Sequence, residues 1–273
     1  MQSGIMLYVG CKVGVYDQIK VLSELGVKRT FINAKHPEID KVICAIRDAG
    51  LICDNIHAEY AITHNGEKIH TNDITRAGKA GDIMVSRIMR NIDTCSNHGI
   101  PILIVHPSND PPEFAINEFA KERYTAIGSY AREKGVTVAF ENLKYTENLK
   151  YIMSLIPNAK FCWDCGHEYS SLVDEKPMPL FRDRLAALHI HDNFIKTDDH
   201  LIPFTAKVDF DYVGREIAES GFDGTLMLET PYRKNELGST EPTYKDFALK
   251  AKSAAEKIID IVEGYRSHFR DND

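Results

Sequence analysis

The chain has 273 residues, of which 43% are hydrophobic and 27% are charged. These proportions are typical of a soluble globular protein with a large core, and they speak against a chain that is disordered as a whole. The formal net charge of −7 opposes attraction to nucleic acid and to anionic membranes, so both are disfavoured as partners.

Eight short apolar runs recur along the chain, and each ends in polar or small residues. Runs of this kind predict strands that are buried on both faces, as in a parallel sheet. The predicted strands are Ile5–Gly10, Arg29–Ala34, Leu51–Ala58, Pro101–Pro107, Val136–Leu143, Lys160–Gly166, Leu185–Asn193 and Gly224–Thr230.

Segments with helical periodicity lie between the strands, and several begin after Asp or Pro and end at Gly. The predicted helices are Tyr16–Leu25, Glu38–Ala49, Asp82–His98, Glu113–Lys134, Asp209–Ser220 and Tyr244–Arg266. Eight βα units in a chain of this length favour a closed (β/α)₈ TIM barrel, which we expect to form a single domain over residues 1–273. The longest stretches predicted to be irregular are Tyr60–Gly81, Phe194–Val208 and Pro231–Pro242.

Two established classes of site are disfavoured by the sequence. The turn after the first strand, Gly10–Gly14, lacks the GxGxxG pattern of a dinucleotide site. The six cysteines are scattered through apolar segments, so we expect reduced core thiols, including the isolated CxxC of Cys162 and Cys165.

The N-terminus has no basic region and no run approaches about 18 apolar residues, so we expect a cytoplasmic protein.

Ionisable residues lie near the C-terminal ends of six predicted strands, where buried parallel strands are normally apolar. They are His57, His106, Glu141, Asp164, His189 with His191, and Glu229. Closure of the barrel would bring all these ends to one mouth. A single histidine there is more often structural, but three clustered carboxylates repel one another unless a cation lies between them. We therefore predict a catalytic divalent metal, with ligands that suit Mn²⁺, Zn²⁺, Co²⁺ or Fe²⁺ better than Ca²⁺.

Two further elements carry polar residues. The stretch Thr197–Leu201 places Asp198 and His200 in an Asp-x-His arrangement, which either supports a metal site or forms a solvated acidic loop. His167 follows Asp164 by three residues at a turn, where it could bind metal, bind substrate or cap the next helix.

Four motifs, ENLK, DCGHEY, HIHDN with DDHLIP, and LMLETPY, occur in this order. Their combination resembles the xylose isomerase-like TIM-barrel superfamily over nearly the whole chain. That superfamily includes sugar and sugar-phosphate isomerases and epimerases, inosose dehydratase-like enzymes and endonuclease IV. The resemblance implies a metal-dependent isomerase or epimerase that acts on a sugar or sugar derivative by proton transfer through an enediolate.

The same resemblance implies roles for individual residues. The implied metal ligands are Glu141, Asp164, His189 and Glu229. His189 is preferred to His191 because the family pattern His-x-x-Asp is completed by Asp192 only from His189. Glu141 and Glu229 would form the acid/base pair. The resemblance implies that His167 contacts a substrate oxygen. Further candidates for substrate binding are His191, which could orient hydroxyl groups, and Tyr60 and Arg233, which could shape specificity.

The endonuclease IV branch implies an alternative, a multi-zinc phosphodiester hydrolase that acts at abasic sites in DNA. The additional metal ligands would be His57, His106, His167, Asp198 and His200. The segment Phe204–Ala206 replaces the GxG of that branch, and the acidic net charge also speaks against a DNA enzyme. One exchangeable Mn²⁺, Co²⁺ or Mg²⁺ would indicate the isomerase, and about three zinc ions the hydrolase. A barrel that binds carbohydrate without catalysis is a third hypothesis, and a homo-oligomer is compatible with the sequence.

Overall fold

A computed structural model describes residues 1–170, 175–232 and 243–272. Eight parallel strands form one sheet in the order β8-β1-β2-β3-β4-β5-β6-β7. The strands are β1 (Gln2–Ile5), β2 (Arg29–Asn33), β3 (Ile52–His57), β4 (Ile102–Val105), β5 (Thr137–Glu141), β6 (Lys160–Asp164), β7 (Leu185–His189) and β8 (Thr225–Leu228). The ring closes at Ile190, whose N–H donates to the Met227 carbonyl at 2.9 Å and whose carbonyl accepts from the Glu229 N–H at 3.1 Å. The prediction of a (β/α)₈ barrel is confirmed.

All eight predicted strands form, but the first is displaced toward the N-terminus. The regular strand ends at Ile5, five residues before the predicted end at Gly10. Beyond Ile5 the backbone still bonds to both neighbouring strands, because Met6 N–H donates to the Leu228 carbonyl and Leu7 N–H to the Phe31 carbonyl. The apolar run that suggested a strand therefore continues as the lining of the barrel mouth.

Helices surround the barrel on its outer face. They are α1 (Val15–Glu24), α2 (Ile39–Asp48), α3 (Lys79–His98), α4 (Pro112–Ala115), α5 (Glu118–Glu133), α6 (Thr146–Leu155), α7 (Cys165–Ser170), α8 (Pro177–Phe181), α9 (Phe210–Ser220) and α10 (Tyr244–Asn272). The predicted helix Glu113–Lys134 is divided, because the side chain of Asn117 accepts from the Ala120 N–H and starts a new helix there. Within the described ranges, no helix is long and apolar enough to cross a membrane.

The stretch Tyr60–Gly81 was predicted to be irregular, and that prediction is partly wrong. It contains an antiparallel hairpin of Ala61–His64 and Glu67–His70, followed by a 3₁₀ helix at Thr71–Thr75. Asn65 and Gly66 turn the hairpin with φ angles of 50° and 86°. Asn-Gly is the usual pair for such a turn, because both residues tolerate positive φ. Pro231–Pro242 lies mostly outside the described residues.

The interior of the barrel is filled in layers that place the polar residues at its mouth. Ile104, Ala139, Cys162 and Ala187 form one buried apolar cluster inside the ring. Each stands two residues before a predicted site residue, and side chains two apart on a strand face the same side. The next layer toward the mouth therefore consists of His106, Glu141, Asp164 and His189.

All six cysteines are free, and three of them are buried, whereas Cys44 is exposed rather than in the core.

Candidate metal centre

The carboxylate of Glu141 lies at the centre of the mouth and is surrounded by four imidazoles. Its Oε2 is 3.2 Å from Nε2 of His57, 3.4 Å from Nε2 of His106 and 3.2 Å from Nδ1 of His189. Its Oε1 is 3.1 Å from Nδ1 of His167. Burial acts to raise the pKa of Glu141, but the charges of the histidines and the hydrogen bonds from two of them outweigh it, so the pKa lies well below its usual value.

Glu141, Asp164, His189 and Glu229 come together as the sequence predicts. One ligand atom from each lies within 4.8 Å of the others. Glu229 Oε2 is 3.3 Å from Nδ1 of His189. Burial raises the pKa of Glu229 to about 8, and the negative charge of Glu141 adds to the effect. Adjacent carboxylates that differ in this way are typical of a centre with several acidic groups.

The polar atoms of this group fit a cation. Several of them are buried and have no hydrogen-bond partner. They are Asp164 Oδ2, His189 Nδ1, His189 Nε2 and Glu229 Oε2. Leaving such an atom unpaired costs about 1–3 kcal/mol, and a cation among them would remove that cost. Three carboxylates with one imidazole suit Mn²⁺, Zn²⁺ or Co²⁺.

A second group of possible ligands consists of His57, His106 and Glu141, and a third of His167, His191, Asp198 and His200. In the third group, Asp198 Oδ2 is 3.2 Å from Nε2 of His167 and 3.1 Å from Nε2 of His200. Burial acts to raise the pKa of Asp198, but hydrogen bonds from these two histidines lower it far below its usual value. The Asp-x-His loop therefore joins the polar centre.

Asp192 holds that loop in place, a role that sequence reasoning missed. Its carboxylate is fully buried, and every donor to it from the described residues is a backbone N–H group. The donors are Asn193 (2.9 Å) and Val208 (2.9 Å) to Oδ1, and Thr205 (2.9 Å) and Ala206 (2.7 Å) to Oδ2. The backbones of Asp192 and Leu201 also pair in both directions at 2.8 Å. These bonds fold residues 194–208 back over the mouth, and with them Asp198 and His200.

Two further residues, Asn142 and Gly166, help to position candidate ligands. The amide of Asn142 donates to the Asp164 carbonyl and accepts from the Asp164 N–H, both at 2.8 Å, and so joins β5 to β6 beside Glu141. Gly166 leaves room for the ring of His191, since a Cβ there would lie 1.9 Å from the ring's Cε1. His191 is fully buried, with Nε2 3.0 Å from Asp164 Oδ1.

A cavity of about 620 Å³ opens above the polar centre. Of the predicted substrate-binding residues, His167 and Tyr60 line it, and Tyr60 stacks on His106 with ring centroids 5.3 Å apart. His191 does not line the cavity and contacts other centre residues instead. Arg233 lies outside the described residues.

The protein is thus a (β/α)₈ barrel with a buried carboxylate and imidazole centre at its C-terminal mouth. A family model described as "Xylose isomerase-like TIM barrel" matches residues 28–255. The chain belongs to that family, and the resemblance inferred from its motifs is confirmed.

Three similar proteins share between 12% and 27% of their residues with this chain. An uncharacterized protein, y4fM, of Sinorhizobium fredii is 27% identical over 222 residues, which are 71% of each chain. An L-ribulose 3-epimerase has a TM-score of 0.75 at 15% identity and covers 99% of this chain and 97% of its own. A D-psicose 3-epimerase from Clostridium cellulolyticum H10, solved with D-tagatose, has a TM-score of 0.72 at 12% identity, covering 96% and 99%. At such identities the likeness to solved structures establishes the fold alone.

Proposed function

We propose that this chain is a metal-dependent epimerase or isomerase of a sugar or sugar derivative, with Glu141 and Glu229 as its acid/base pair. One observation carries the proposal. Of the four clustered candidate ligands, Glu141 and Glu229 belong to the lining of the cavity, whereas Asp164 and His189 do not. The two carboxylates that border the cavity are therefore those that the resemblance assigns to proton transfer. The fold's similarity to sugar 3-epimerases supports the same chemistry.

The two glutamates are suited to complementary roles. Before an ion binds, the protein lowers the pKa of Glu141 and raises that of Glu229, so the two carboxyl groups have different environments. In the proposed reaction, one of the two glutamates takes the proton from the carbon beside the carbonyl and the other returns one. His167, which also lines the cavity, is placed to orient a substrate hydroxyl. A divalent ion held by Glu141, Asp164, His189 and Glu229 would supply Lewis acidity toward the carbonyl and hydroxyl oxygens.

Replacement of either glutamate tests the mechanism. Glu141→Gln and Glu229→Gln should each lower turnover by about 10²–10⁴-fold, because each removes one partner of the proton transfer. Glu147→Gln, at an exposed position on α6, serves as the matched control. Incorporation of deuterium from solvent at the reacting carbon should accompany turnover. Near-wild-type rates in either active-site variant, or product without solvent deuterium, would refute the proposal.

The second candidate is phosphodiester hydrolysis at a multi-zinc centre, and a specific observation favours it. The second ligand group shares Glu141 with the first, and the third adds four more possible ligands from the same mouth. Metal analysis of the protein separates the candidates. About three zinc ions per chain, together with cleavage of a duplex that contains an abasic site, would favour the hydrolase. One exchangeable ion with no cleavage would favour the epimerase.

A further inference from the structure

The third ligand group, His167, His191, Asp198 and His200, has the spacing of ligands around a single ion. Its four ligand atoms lie within 4.8 Å of one another. Nε2 of His200 is 3.1 Å and Nε2 of His167 is 3.2 Å from Oδ2 of Asp198, and Nε2 of His191 is 3.6 Å from Oδ1. Zinc binds nitrogen and oxygen at about 2.0–2.2 Å in tetrahedral sites, which places ligand atoms about 3.3–3.6 Å apart. The observed separations agree with this value.

The other ring nitrogen of each histidine faces a backbone carbonyl. The three carbonyl groups are those of Asn142 (3.1 Å from Nδ1 of His167), Asp192 (3.5 Å from Nδ1 of His191) and Glu229 (2.9 Å from Nδ1 of His200). Histidines that bind metal usually donate their second ring N–H to such a carbonyl, which fixes the tautomer and the orientation of the ring. With Nδ1 as the donor, the lone pair of each ring is on the Nε2 that faces Asp198.

Without a cation, these contacts would place acceptors against acceptors. A neutral imidazole has a single N–H group, and both nitrogens of His167 and of His200 face oxygen atoms. Protonation of the rings would supply the missing donors, but the rings of His191 and His200 are stacked with centroids 4.0 Å apart. Two charged rings at that distance repel each other. A divalent cation satisfies the Nε2 atoms while the rings stay neutral.

We infer that the third ligand group binds one zinc ion in a closed tetrahedral site whose role is structural. Four protein ligands leave no position for water or substrate, as in structural rather than catalytic zinc sites. The resemblance implied three of these residues as ligands of a hydrolytic centre, whereas His191 was a candidate for substrate binding. Neither Glu141 nor Glu229 belongs to the site, so the inference does not depend on the proposed reaction. The ion takes the place of the substrate hydroxyl that the proposed function assigns to His167.

The zinc ion would fasten residues 194–208 over the mouth. Two of its ligands, Asp198 and His200, belong to this loop, and the other two belong to the barrel. Three residues of the loop other than glycine have positive φ angles: Ile195 (76°), His200 (49°) and Phe204 (67°). Such angles are unfavourable, above all for a β-branched residue, and persist only where surrounding contacts hold the backbone. An ion that joins the loop to the barrel supplies such contacts.

Metal analysis tests the number and the geometry of the bound ions. Wild-type protein should retain one zinc ion per chain through dialysis against a chelator that removes exchangeable ions. Co²⁺ in its place should give the intense visible absorption of a tetrahedral site. Loss of all metal on dialysis, or the weak absorption of six-coordinate Co²⁺, would overturn the inference.

Replacement of His191 tests its place among the ligands. His191→Phe keeps a ring and removes the ligand atom. Its zinc affinity in a competition titration should fall by at least about a hundredfold, since loss of even an outer partner of a ligand costs about 10–100-fold. His64→Phe, at an exposed position of the hairpin, is the matched control and should bind zinc as wild type does. Wild-type zinc affinity in His191→Phe would exclude a four-ligand site.

Glu229→Gln separates this ion from the ion of the proposed function. It should lose the exchangeable ion and retain the tightly bound zinc, whereas His191→Phe should lose the zinc and retain the exchangeable ion. Loss of both ions in both variants would indicate one shared centre and overturn the inference. Loss of turnover in Glu229→Gln alone bears on the proposed function and leaves the structural site unaffected.

Hydrogen exchange of the wild-type chain tests the structural role without any variant. At a free zinc concentration of about 100 times Kd, amides in residues 194–208 should exchange about a hundredfold more slowly than in metal-free protein, because the ion binds only the closed loop. Mg²⁺, which prefers octahedral oxygen ligands, is the control ion and should not protect the loop. Equal exchange with and without zinc would overturn the structural role.

Discussion

Asp192→Asn removes the carboxylate that holds residues 194–208 over the mouth. The wild-type carboxylate accepts four backbone N–H groups, two at each oxygen. Asparagine keeps one acceptor oxygen, and its NH₂ group would face two of those donors. Two hydrogen bonds to a charged group are lost, each contributing about 1.5–3 kcal/mol, so the closed loop should be destabilised by about 3–6 kcal/mol.

Opening of the loop relieves this cost, so the effect should be local rather than global. We expect amide hydrogen exchange in residues 194–208 to accelerate by at least about a hundredfold, since 1.4 kcal/mol corresponds to a factor of ten. Hydrogen exchange followed by mass spectrometry measures the exchange rate of these amides. Binding of metal by His167, Asp198 and His200 should weaken in parallel, because two of these three residues lie on the loop.

Asp209→Asn is the matched control. Asp209 lies beside the same loop and caps α9, where its side chain accepts from the N–H groups of Asp211 and Tyr212. Asparagine caps helices about as well as aspartate, so exchange in the loop should not change. Wild-type exchange in Asp192→Asn, or equal acceleration in the control, would refute the reasoning.

Three other predictions concern the centre. Gly166→Ala should displace His191 and cost about 1–3 kcal/mol in thermal unfolding. Gly264→Ala is the control, because an added Cβ at this position of α10 meets no atom within 4 Å, and it should stabilise the folded protein by up to about 1 kcal/mol. An equal change in unfolding free energy for the two variants would contradict the packing argument. Asn142→Leu removes both hydrogen bonds to the β6 backbone and should weaken metal binding by about 10–100-fold in a competition titration, and unchanged affinity would exclude a positioning role. Burial raises the pKa of Glu229 to about 8, and a metal ion binds the ionised carboxylate, so metal binding should release protons. The affinity for the metal should therefore rise with pH up to about 8. A metal affinity that does not vary with pH would contradict the predicted proton release.

The barrel and the polar centre could be predicted because both follow from short-range patterns. Eight apolar runs alternating with helices indicate a barrel, and a side-chain period of two places Glu141 above Ala139 and His189 above Ala187. The preference for His189 over His191 came instead from the family pattern His-x-x-Asp, which the resemblance implies. The structure places His189 in the four-residue group and His191 in the group with Asp198.

The remaining features depend on contacts that sequence spacing does not encode. The four amides that bind Asp192 lie up to 16 residues away, and no local pattern indicates that they converge on one carboxylate. Gly166, in α7, is required by the ring of His191, which follows β7 and is 25 residues further along the chain. The hairpin after Tyr60 is different, because its Asn65-Gly66 pair between alternating residues is a recognised turn signal that the prediction overlooked.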